Sequence, residues 1–292
     1  MRLLVKFSLI FVLVFGTGLV VAGVVCHQFL EDNARAQVLE QASLMMENMR
    51  AARDYTTKQI KPLLVTNQLH ERMFLPQTVP AYAATESFNY LRAAYPDYAY
   101  KEAALNPTNL RDRAVDWEAD LINTFRNNPK QRQLVGEREA ATGRALFLAR
   151  PIHADPPCLV CHDRPQIAPA AMLRHYGSRN GFGWGSGEVI GAQIVSVPMA
   201  VPIRMADTAF KTLVVYLAAV FLASLITLDL VVVFTIARPV ARLSAMAVKI
   251  SMGEMDIPEL PVKGGDEISV LAGSFNRMRR SLMKAMKMLE DQ

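Results

Sequence analysis

The sequence predicts an α+β domain held outside a membrane between two spanning helices, followed by a helical cytoplasmic segment. Three observations predict it. Two long apolar runs bracket the middle of the chain. Between them, helical periodicity gives way to alternating, β-branched stretches. After the second run, apolar residues step by three and four along two short segments separated by a Gly- and Pro-containing connector.

Residues 1–6 carry Arg2 and Lys6, and residues 7–25 (FSLIFVLVFGTGLVVAGVV) carry no charge. Residues 212–237 carry only Asp229. Each run approaches or exceeds the roughly 20 residues a helix needs to cross the hydrocarbon core. The spans are set at 7–29 and 211–237. The first run exceeds the apolar core of a signal peptide, and Cys26-His27-Gln28-Phe29-Leu30 offers no small-x-small cleavage pattern, so a retained anchor is expected. Arg238, Arg242, Lys249, Lys263, Arg277, Arg279 and Arg280 follow the second span. Basic residues stay inside, so both termini are expected in the cytoplasm and residues 30–210 in the periplasm of a bacterial inner membrane. Asp229 is expected at a helix–helix interface, because facing lipid would be costly. The net charge of +5 owes much to the cytoplasmic tail and forms no stripe suited to nucleic acid.

Within 30–210, Val38, Ala42, Met45, Met49, Ala52 and Thr56 share one face of a long helix that should end before Pro62. Residues 85–94 and 113–126 read as shorter helices, and 144–152 and 188–197 as strands. Pro and Gly punctuate 153–187 as loop. Helices framing a sheet suggest a PAS-like sensor domain.

Cys158-Leu159-Val160-Cys161-His162 carries the chemistry. Two thiols separated by two residues can each form a thioether to the same porphyrin, and the following histidine then lies under the iron as proximal ligand. The chain has three cysteines and five histidines. A thiol redox pair would favour a helix after the motif, which Pro165 opposes. A structural zinc site needs four ligands, and no second C-x-x-C or H-x-x-x-H supplies them. Cys158 and Cys161 are therefore assigned to one covalently attached haem c, with His162 on its iron.

Beyond the second span, Ile236, Val240, Leu243, Ala247 and Ile250 form one seam, and Ile268, Leu271, Phe275, Met278, Leu282, Ala285 and Leu289 another. Pro239, Gly253-Glu254, Asp266-Glu267 and Phe275-Asn276-x-Met278 make residues 238–290 resemble a HAMP linker domain. That resemblance implies a homodimer, through a parallel four-helix bundle and the spanning helices, that relays helix motion without catalysing anything.

Residues 45–200 resemble a family of single-haem, c-type, PAS-like sensory domains. The resemblance rests on Arg53-Asp54-Tyr55-Thr56, Phe74-x-Pro76-x-x-Val79-Pro80-Ala81, Tyr95-Pro96-Asp97-Tyr98-x-Tyr100-Lys101 and Asn106-Pro107-Thr108-Asn109. It continues through the cysteine motif, Tyr176-Gly177, Gly181-Phe182-Gly183-Trp184 and Val189-Ile190-Gly191-Ala192. Some members use a cysteine on the first helix as sixth iron ligand. Here the remaining cysteine is Cys26, at the edge of the first span. Met49 is the candidate in its place, with Met45, Met46, His70, His153 and His175 as alternatives and an open five-coordinate iron as another. Arg53, Lys101 and Arg150 could neutralise haem propionates, and Trp184 and Tyr176 could pack on the porphyrin or close a loop.

These readings predict a membrane-bound haem c sensor that detects redox state or a diatomic gas outside the inner membrane. Its output is expected to pass through the HAMP segment to a separate cytoplasmic protein of kinase, cyclase or chemoreceptor type, the alternative being a receptor shorn of its output, because Gln292 comes just after the second heptad helix. The alternative is a membrane-anchored c-type cytochrome serving electron transfer. An enzyme is not expected, because no distal His–Arg pair stands at identifiable spacing. Membrane lipid and a second copy are the expected contacts.

Overall fold

A computed structural model describes residues 3–66, 72–141, 143–262 and 264–290. They fall into two compact units, one made of Met1–His27 with Ala209–Gln292 and the other of Gln28–Thr208.

The second unit is built on a four-stranded antiparallel sheet of order β1-β4-β3-β2. Its strands are β1 (Ala99–Ala104), β2 (Leu134–Ala140), β3 (Gly143–His153) and β4 (Val189–Pro198). Tyr100 and Leu148 both stand opposite Val195 in the ladders. Side chains alternate between faces with a period of two. Tyr100, Leu146, Leu148, Val195 and Val197 point to one face. There they meet Val38, Ala42, Met46 and Met49 from helix α1 (Leu3–Tyr55) and Ala84 and Phe88 from α3 (Pro80–Ala94). Ala103, Ala149, Ala192 and Ile194 point to the other face, onto Ile122 and Phe125 of α4 (Asp116–Asn127). The expected α+β framing is observed.

Strands β1 and β2, helix α6 (Ala170–Tyr176) and the short helix Pro156–His162 lie where no element was predicted. The long helix also departs from expectation. After Tyr55 a π turn, Thr56–Ile60, leads into α2 (Lys61–Val65), so helical backbone passes through Pro62. Pro62 sits in the first turn of α2, where a missing N–H is tolerated.

In the first unit the two apolar helices are long enough to cross a membrane: residues 4–65 contain one candidate span and residues 200–251 the other. The second begins as α7 (Ala200–Val232). Ser8 Oγ donates to Asp229 Oδ1 at 2.6 Å, Phe11 stacks on Phe221 at 5.8 Å, and His27 meets Phe210 at 4.9 Å. Low numbers meet high ones, so the two helices run antiparallel, with Asp229 at their interface.

A second π turn, Val233–Ala237, joins α7 to α8 (Arg238–Ser251). Gly253, at φ +90°, ends α8, a left-handed conformation that suits glycine. The connector then runs to α9 (Glu267–Glu290). Asp266 caps α9 by accepting from Ser269 N at 2.8 Å, and hydrogen bonds from the Ser269 side chain and backbone hold its carboxyl below the ordinary value. Asn276 brackets Leu260, accepting from its N–H at 3.0 Å and donating to its carbonyl at 2.9 Å. Leu243, Leu260 and Ala272 form a small core. Within one chain α9 therefore buries Ser269, Ala272, Asn276 and Arg279, while Leu271, Met278 and Leu282 of the predicted seam stay exposed. The connector occupies the face beside that seam, so Phe275 packs against the small core while Leu271, Met278 and Leu282 are left uncovered.

Candidate functional site

The cysteine motif forms a short helix, α5 (Pro156–His162), with proline in its first turn. Cys158 and Cys161 are free thiols, each partly accessible, on successive turns. Burial pushes the Cys161 thiol up, opposed by the charge of Lys61 from α2. Cys161 also packs against Phe74 and against Ala171 and Met172 of α6, beside Val79, Tyr176 and Phe182.

His162 is held on three sides. Its Nδ1 lies 2.7 Å from the Gly181 carbonyl, and a carbonyl only accepts, so the proton is on Nδ1 and Nε2 keeps its lone pair. Thr108 Oγ1 is 3.3 Å from the same Nδ1. Trp184 stacks on the imidazole with centroids 4.0 Å apart and planes 15° apart. Burial lowers the pKa of His162, opposed by the Gly181 bond, so the ring is neutral at pH 7. The segment bearing Gly181 and Trp184 is tied back to the end of α5, with Gly183 N donating to Asp163 O at 2.8 Å and Trp184 N to His162 O at 3.3 Å.

Gly181 is required twice. Its φ is +81°, and a Cβ there would come within 2.9 Å of the Thr108 Cα. Asn106 Oδ1 accepts from Gly181 N at 3.3 Å. The loop after β1, carrying Asn106 and Thr108, thus closes over the imidazole.

The donors fit an iron porphyrin better than a bare metal. Among the described residues, no three His, Cys, Asp or Glu stand together as one metal would need. Thiols that meet a porphyrin rim while the imidazole meets its centre need no common point. Cys158 and Cys161 would hold such a group covalently and His162 Nε2 would hold its iron.

The other residues singled out in the sequence divide. Met46 and Met49 are buried in the main core with Val38, Ala42 and Phe88, and Met45 packs against that cluster. Met49 lies one turn before Arg53 on the same helix. His153 lies near the Gly187 carbonyl, and His175 packs against Phe74 and Tyr176. His70 lies outside the described residues. Arg53 pairs with the buried carboxylate of Glu102, Lys101 with Glu118 at 2.6 Å and Arg150 with Glu47 at 2.5 Å. All three cations thus already have carboxylate partners. Trp184 faces the imidazole, and Tyr176 packs on Phe74 and His175. Thr108, Asn106 and Met172 had been given no role, although the Asn-Pro-Thr-Asn run stood out as a motif.

Comparison with known proteins adds three findings. The profile of the Tll0287-like family matches residues 31–198, more than half of the chain. The HAMP domain profile matches residues 231–284. The crystal structure of the cyanobacterial heme-protein Tll0287 aligns with 55% of this chain and 94% of its own, at 17% identity and a TM-score of 0.43. No curated protein matches the chain.

Proposed function

The chain belongs to the Tll0287-like family, with a HAMP domain after it, and from that premise we propose that it is a membrane-bound haem c sensor. One haem is held by thioethers to Cys158 and Cys161 and by His162 Nε2. When bound it supplies a one-electron couple or an iron position open to a diatomic gas. Residues 1–6 are cytoplasmic, 7–29 and 211–237 span the bacterial inner membrane, 30–210 form the periplasmic sensor, and 238–290 form the HAMP segment. Met49, on the face of α1 that carries Arg53, is the candidate sixth ligand.

The observation that carries this reading is the single imidazole beside two thiols, its proton fixed on Nδ1 by Gly181 and its other nitrogen left basic. The uncovered apolar seam of Leu271, Met278 and Leu282 favours a sensor over a simple electron carrier, because a second copy can cover it and a carrier has no use for it. A shift in packing of a few kcal/mol is enough to relay a signal to a cytoplasmic kinase, cyclase or chemoreceptor-type partner.

The test uses the full chain, matured with haem, in membrane vesicles. Leu271→Cys is cross-linked between copies with a bismaleimide in the oxidised, reduced and nitric-oxide-treated protein. A yield that changes with the state of the iron supports sensing. A constant yield, with rapid electron exchange, would support the membrane-anchored cytochrome instead.

A further inference from the structure

We propose that Thr108 is a positioning residue that sets the electron-donating strength of His162. This rests on the reading above that His162 holds a haem iron. The imidazole has one N–H on Nδ1 and two acceptors facing it, the Gly181 carbonyl at 2.7 Å and Thr108 Oγ1 at 3.3 Å. Because the carbonyl cannot donate, the threonine oxygen also accepts, and the two share the proton. Drawing that proton away makes the ring more imidazolate-like, so Nε2 binds more strongly and the oxidised iron is favoured.

The arrangement is built rather than incidental. Thr108 comes within reach because Gly181 has no Cβ to exclude it, and Asn106 Oδ1 fixes the Gly181 peptide from the same loop. That loop is anchored to the edge of the sheet. Ala114 N donates to Ala104 O at 2.9 Å, and Lys101 Nζ to Arg113 O at 2.8 Å. Asn109 accepts from Arg111 N at 3.2 Å. Strand β1 therefore reaches the imidazole through four residues of loop, and a change at the edge of the sheet can alter the iron's affinity for its electron.

The test is the midpoint potential of the matured full chain in detergent, with covalent haem content measured on the same samples. Thr108→Val keeps the shape and removes the acceptor, while Thr108→Ser keeps the acceptor. The valine variant should hold wild-type haem and shift the oxidation equilibrium toward the reduced form by about three- to tenfold, or ~30–60 mV upward for one electron. The serine variant should stay at the wild-type potential. Should valine fail to mature, Thr108→Cys, a weaker acceptor of similar size, must lie above serine. Equal potentials in all variants, with haem attached, would overturn the role of Thr108 and leave the sensor reading intact. Wild-type protein without covalent haem would overturn both.

Discussion

The two π turns of this chain have the same local cause and opposite surroundings. Thr56–Ile60 is followed by Lys61-Pro62, and Val233–Ala237 by Arg238-Pro239. In each, proline lacks the N–H that would bond four residues back, to Lys58 or Thr235, and its ring crowds that carbonyl. A wider turn just before the proline relieves the clash without ending the helix. What differs is the packing. A threonine hydroxyl bonds one turn back in both, Thr56 to Ala52 O at 2.8 Å and Thr235 to Val231 O at 2.7 Å, but Thr56 is buried and Thr235 is exposed. No residue of Val233–Ala237 is buried, and Arg238 lies over the Phe234 ring at 4.3 Å. The same local chemistry therefore stands in a turn with one buried residue near the thiols and in a turn with none at the entrance to the HAMP domain.

Charge is the harshest test of that difference. Thr56→Lys buries an ammonium without a partner and should destabilise the domain by about 3 kcal/mol or more, read as a lower melting temperature of the full chain in detergent. Thr235→Lys, exposed and two residues from the cytoplasmic end of the span, can snorkel to the interface and should cost less than Thr56→Lys. Equal losses would mean that the second turn is also packed.

Removing the prolines sharpens the comparison. Pro239→Ala restores the donor, lets the π turn relax to α, and should rotate α8 by about 100°, one residue's worth. Disulfide scanning of residues 240–250 between copies should then move its maximum by one position. In haem-free chain, Pro62→Ala should leave the accessibility of Cys158 and Cys161 to a maleimide unchanged, because buried Thr56 keeps that segment in place even when the proline's clash is removed.

Two smaller effects follow on either side. Burial raises Asp112, in the loop that carries Thr108, to about 6, against the opposing charge of Arg111. A carboxyl whose folded pKa is raised binds its proton more tightly when folded, so stability falls as pH rises from about 4 to about 6 and is flat above. Asp112→Asn should accordingly stabilise the protein at pH 8 by on the order of 1 kcal/mol after screening, and have little effect at pH 4. In the membrane unit, Ser8→Ala removes the donor to Asp229 and should weaken the helix pair by ~0.6 kcal/mol, read by thermal unfolding in detergent.

The parts legible in the sequence were those with one dominant local signal. Strands β3 and β4 are rich in alternating apolar residues, and both fall where predicted, to within a residue or two. Strand β1 reads Ala-Tyr-Lys-Glu-Ala-Ala and β2 Leu-Val-Gly-Glu-Arg-Glu-Ala, compositions that suit a helix or a surface. Pairing with β4 and β3 makes them strands, and pairing is non-local. Pro62 was read as a terminator because a π turn leaves no composition signal of its own. The site divides the same way. The Cys-x-x-Cys-His run is contiguous and could be read directly. The clamp on His162 joins Asn106, Thr108 and Gly181, which lie up to 75 residues apart. Only the fold brings them to the ring, although the glycines around Phe182 were a sign that backbone had to come close to something.

The central claim is that a porphyrin is joined by thioethers to this domain, and intact mass spectrometry of chain matured in a cytochrome c-producing host tests it most directly. The account predicts a mass increase of one haem that survives acid–acetone extraction, maps to the peptide containing Cys158–His162, and disappears in the Cys158→Ala, Cys161→Ala double variant. A chain that matures at its bare polypeptide mass, or loses all of its haem to the extraction, would contradict it.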